Sequence, residues 1–317
     1  MAKITDYGVK SDIQARLAAT PKTAGLLALA LFLGSELPAG QTEKYPWLGV
    51  SPSMREWISE RLIHQPNAFD LQIVNRKFEN TLMVPLDLVN DGKTDSVQIL
   101  TSDFADTYGL WYKEILAALV NAGTTLNAFD GQVFFSGAHQ WGKMAAFSNI
   151  LNHTTAAPTT ITPLEAALGI NKLIEFMRAF PDDQGRLIAN EDIKEITMVY
   201  QAGTANAGAI KTAASNATLS GGTGMVDNPL KGQDVKINWV SSGLITTGQT
   251  KITAIRPTSD RGRAIVFQEN TKDRSVGMIS DPNSEFVIKN DAWLYALKAV
   301  GNAGFALPSH AAQLTFI

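Results

Sequence analysis

The feature that most constrains the fold is a stripe of apolar side chains, Val97, Leu100, Phe104, Tyr108, Trp111, Ile115 and Leu119, recurring at steps of three and four. That spacing follows the 3.6-residue turn and places all seven on one helical face. Thr94, Asp95 and Ser96 supply start signals and Gly123 a stop, so a helix of roughly 26 residues and about 39 Å is expected. A helix that long and apolar on one side needs a sheet to lie against, which makes Phe104, Tyr108, Trp111 and Ile115 the expected core of a spine.

The segments around the spine read as a mixed α+β chain without repeats. Residues 11–20 and 24–33 carry helical patterns and are followed by the breaker Leu37-Pro38-Ala39-Gly40, so they form an arm. The apolar run 24–34 is too short to span a bilayer, which takes about 20 residues, and it is expected to dock on a neighbouring subunit. Residues 61–84 alternate as extended structure, and a lone hairpin cannot cover its own apolar face. Leu71, Ile73, Phe78 and Leu82 are therefore expected to meet another chain, as are Trp47 and Trp57 in the Pro-interrupted stretch before them. Later segments predict a strand from 131, a helix over 163–180 with Pro163 in its first turn, and strands at 193–200, 235–240, 252–255, 264–268 and 285–288. The small-residue stretch 202–224 reads as an adaptable loop.

Chemistry finds little to stand on. With no cysteine among 317 residues, disulfides and thiolate chemistry are excluded. A net charge of -3 with no basic run excludes the footprint of a tight nucleic-acid reader. SGGTG at 220–224 lacks the Lys-Ser/Thr pair of a phosphate loop and reads as a flexible turn. His139 and His153 have no ligand spacing such as HExxH and read as solvated loop residues. Asp87, Asp91 and Asp95 fit turn and cap roles, and Asp182-Asp183 a turn after a helix. No GxSxG elbow is present. The expectation is a soluble intracellular chain that is not an enzyme and needs no cofactor or metal.

More specific are the stretches YPWLGVSPSMREWISERL at 45–62, NRKFENTLMVPLDLVNDG at 75–92 and NAFDGQVFFSGAH at 127–139, followed by MRAFPDDQGRLI, DNPLKG, RAIVFQEN and AWLYALKAVGNAGFA. Taken in order, they closely resemble the major head subunit of Mu-like phages and prophages over residues 44–305. The resemblance implies the Hong Kong 97-type capsid fold. It would place an N-terminal arm at 1–54, an extended loop at 55–83, a peripheral domain at 84–130 and 290–317, and an axial domain at 131–289. The implied function is a major capsid protein assembling as hexamers and pentamers into an icosahedral head around double-stranded DNA. The implied partners are further copies of the chain, a scaffolding protein, a portal, a decoration protein and non-specifically the packaged DNA, with no membrane. Assembly would take place in the host cytoplasm, leaving the protein in the virion. A tail sheath or tube protein of a contractile device is the alternative.

Overall fold

A computed structural model describes residues 5–19, 24–48, 68–222, 224–257 and 262–317. The apolar stripe forms helix α3 (Thr94–Asn121), 28 residues long, preceded by α1 (Asp6–Ala19) and the short α2 (Leu86–Asn90). Its buried side is wider than the strict stripe, because Tyr112, Leu116 and Val120 join Val97, Phe104, Tyr108, Trp111 and Leu119. No side chain caps its start: Lys93 holds the N-cap position, Asp95 lies in the first turn, and Asp91 pairs instead with Lys93 at 3.1 Å.

Two five-stranded sheets divide the molecule. The first contains β1 (Ala30–Gly34), β4 (Arg76–Pro85), β11 (Ile265–Glu269), β12 (Ser275–Ile279) and the 14-residue β13 (Ala292–Phe305). β13 is the rail of this sheet: β12 and β11 pair in turn along one edge, while β4 pairs along the other through ten register positions from Ala292↔Pro85 to Gly301↔Arg76. Apart from these, β2 (Thr42–Leu48) and β3 (Ala68–Val74) form a two-stranded antiparallel ribbon.

The second sheet runs β5 (Ile150–His153), β14 (Ala311–Phe316), β10 (Lys251–Ile255), β6 (Glu195–Gln201), β9 (Lys236–Ser242). Helices α4 (Pro163–Arg178) and α5 (Ala205–Ser215) cover its apolar face, where Ile170, Leu173, Ile174 and Met177 pack with Met198, Ala254 and Leu314. Thr162 starts α4 with a full capping box, its Oγ1 accepting from Glu165 N while Glu165 reaches back to Thr162 N at 2.8 Å.

Several expectations are corrected. The run 24–33 is not a helix but a 3₁₀ turn, Gly25–Leu29, leading into β1. Its own chain covers it, since Leu26, Leu27 and Leu29 are buried in the spine core and β1 pairs parallel with β11. The stretch 202–224 is not simply a loop: Thr204 caps the Ala-rich α5, and β7 (Thr218–Gly221) pairs antiparallel with β8 (Gly224–Asp227). Residues 285–288 belong to helix α6 (Glu285–Asn290), because Ser284 Oγ accepts from Val287 N and turns the chain helical. The strand expected from 131 is reduced to an isolated bridge, Asn127↔Val133. In sheet membership, β11 and β12 lie in the first sheet and β14 in the second.

Candidate assembly surface

Period-2 alternation gives the first sheet two different faces. Ala30, Ile265, Phe267, Ala303 and Phe305 point to the spine, whereas Leu31, Leu33 and Val266 point away from it. The root of the ribbon lies on that second face. Leu71 and Ile73, 5% and 3% exposed, pack there with Val266, Ala306, Leu31, Leu33 and Tyr45. Gly304 makes the approach possible, because a Cβ at that position would stand 2.8 Å from Ile73 Cγ1. Side-chain amides rising from the sheet complete the docking: Gln268 Nε2 donates to Ile73 O at 3.0 Å and Asn302 Nδ2 to Val74 O at 2.9 Å.

This geometry gives the apolar residues of β3 and β4 partners within their own subunit. The missing second layer is supplied within the subunit, because β4 joins the main sheet instead of pairing with β3. Leu71 and Ile73 are covered by their own sheet, and Phe78 and Leu82 pack half-buried against the spine core, with the Phe78 and Trp111 rings 5.3 Å apart. Trp47 stands in β2 opposite Phe69 in the ribbon, and Trp57 lies outside the described residues. The paired ribbon comprises Thr42–Leu48 and Ala68–Val74.

On the spine face, Phe104, Tyr108 and Trp111 are buried and Ile115 half-buried. Trp111 sits among Tyr108, Tyr112, Phe78 and Phe267, with ring centroids 4.8 to 5.5 Å away. A polar cluster, unforeseen from sequence, closes this core. Tyr108 and Tyr112 both donate to the Glu269 carboxylate, the latter at 2.8 Å, and Arg274 lies 5.6 Å over the Tyr108 ring. Burial and the neighbouring Glu269 push the Tyr108 hydroxyl up to about 12 and Tyr112 upward too. Two ring hydroxyls at positions four apart on the helix were visible in the sequence, but their carboxylate partner lies 157 residues beyond Tyr112.

Among the described residues no group of three His, Asp or Glu could hold a metal ion. His139 is not solvated as expected: it is fully buried, with Nδ1 2.7 Å from Asp130 Oδ2 and Nε2 3.0 Å from Phe134 O, and so fastens the irregular segment after the spine. His153 is half-buried, and burial holds its pKa below the usual value. Asp182 staples its turn by accepting from Gln184 N, Arg186 N and Arg186 Nε.

Residues 28–168, which contain β1, the ribbon, β4 and the spine, match the family described as Mu-like prophage major head subunit gpT. The major capsid protein of Escherichia phage Mu is 23% identical over 190 residues, covering 58% of this chain and 61% of that protein's length. Among solved structures, a chain of the bacteriophage JBD30 procapsid superposes with a TM-score of 0.52 at 19% identity over 98% of this chain and 76% of its own. A chain from the capsid of an empty GTA particle gives 0.55 at 14% identity over 93% and 90%. No helix among the described residues is long and apolar enough to cross a membrane. The chain therefore has the Hong Kong 97-type capsid fold, α+β with a spine helix and a two-stranded ribbon, and its sequence resembles that of the Mu-like major head subunit.

Proposed function

We propose that this protein is a shell-forming major head subunit that assembles as hexamers and pentamers into an icosahedral phage head around double-stranded DNA, and that it catalyses nothing. The observation that carries the reading is the family match over residues 28–168, which falls on the ribbon and spine of a chain whose whole fold is that of capsid subunits. The solved structures it superposes on are capsid chains, which weighs against the tail sheath or tube alternative.

In this reading the ribbon reaches a neighbouring copy, with Trp47 and Trp57 as the proposed contacting aromatics. A net charge of -3 suits a lining that encloses DNA without gripping phosphates. A scaffolding protein, a portal and a decoration protein are the proposed partners, host cytoplasm the place of assembly and the virion the destination. Negative-stain microscopy of the purified protein tests the proposal. Closed shells are expected; helical tubes would favour the sheath reading, and a species that stays monomeric at high concentration would overturn the assembly role.

A further inference from the structure

β3 and β4 are separated by Asn75 alone, yet they pair with different partners, β3 with β2 and β4 with β13. One residue therefore turns the chain from the ribbon into the body. The polar groups around it form a directed line. Gln268 Nε2 donates to Asn75 Oδ1 at 2.7 Å, Asn75 Nδ2 to Ser35 Oγ at 3.0 Å, and Ser35 Oγ to Glu43 Oε2 at 2.9 Å. The same Nδ2 also donates to Leu37 O at 2.7 Å. The Asn75 backbone is held as well, its N donating to Gln41 O at 3.0 Å and its O accepting from Gly40 N at 2.8 Å. Asn75, Ser35 and Gln268 are buried, at 1%, 5% and 0% exposure.

We propose that Asn75 is the positioning residue of the ribbon, fixing the direction in which it is presented to a neighbouring copy; this rests on the shell-forming reading. Leu71 and Ile73 hold the ribbon root on the sheet, but apolar burial has no preferred direction. Hydrogen bonds do, weakening steeply away from linearity. The line from Gln268 to Glu43 ties β11, the joint, the segment after β1 and β2, and it ends on a carboxylate, which strengthens each bond behind it. Apolar contacts make the ribbon adhere, and Asn75 sets its angle.

The test is Asn75→Asp, which keeps the shape of the side chain but removes both Nδ2 hydrogens and sets a carboxylate against Leu37 O. Amides of β2 and β3 should exchange about tenfold faster than in the wild type, while those of α3 keep their protection. Particles should become mixed in size or remain open. Wild-type exchange in the ribbon, or uniform wild-type shells, would overturn the proposal. Should Asn75→Asp unfold, Ser35→Ala carries the same test, because it removes the next link of the line and is expected to shift exchange in the same direction. If the wild type forms no closed particle, the shell reading falls, while exchange in the unassembled subunit still decides the role of Asn75.

Discussion

At the scale of single residues, the spine core is decided by aromatic volume and the ribbon root by the lack of it. Trp111→Ala would leave a cavity between four rings and should cost about 3–5 kcal/mol, read as a lower urea midpoint. Gly304→Val acts on the opposite face. Its new side chain meets Ile73 at a distance no real Cβ contact allows, so the ribbon root should lift while the spine core keeps its near-ultraviolet spectrum. Limited proteolysis reads this as new cleavage within the ribbon; an uncleaved variant would show that the sheet can yield at Gly304. The tyrosines add a pH dependence. Tyr108 ionises at about 12 in the folded chain, against about 10 when unfolded. Its contribution to stability is complete below pH 10 and drains away as pH rises toward 12. Denaturant midpoints should fall over that window, and Tyr108→Phe should fall less steeply.

Among the elements, α4 shows how far local sequence reaches. Pro163 predicts its first turn, and the structure adds a full capping box from Thr162 and Glu165, so Thr162→Ala should cost about 1 kcal/mol. The spine was legible for the same reason, being a long periodic pattern with one answer. What could not be read were choices made by distant partners. The run 24–33 has helical spacing, yet the free edge of β11 draws Ala30–Gly34 into a strand. Residues 285–288 look extended until Ser284 is recognised as a cap. Leu71 and Ile73 seemed to lack a second layer because the strands that cover them lie more than 190 residues on or some 40 back, at Val266 and Leu31. That packing reverses the outcome expected for an arm. Deleting residues 1–40 removes Leu26, Leu27, Leu29 and β1 from the core, so the truncated chain should be insoluble or molten by circular dichroism; a folded, soluble product would show that β1 is dispensable.

For the molecule as a whole, the chain crosses between its two sheets three times, after α3, after β10 and after β13. Those crossings make the halves one framework on which the ribbon is the separable part. Its two ends already meet at Gly40, Gln41 and Asn75, so replacing residues 42–74 by a short turn should leave a folded subunit that sediments as monomer. Full-size particles from that variant would remove the ribbon from assembly. The pairing of β4 with β13 then bears on mechanics. In the proposed shell, a neighbour pulling the ribbon along the axis of β4 would load that strand lengthwise. The interstrand bonds of an antiparallel pair lie crosswise to that pull. Ten register positions are thus loaded together in shear, as in a lap joint, instead of being peeled open one by one like a zip.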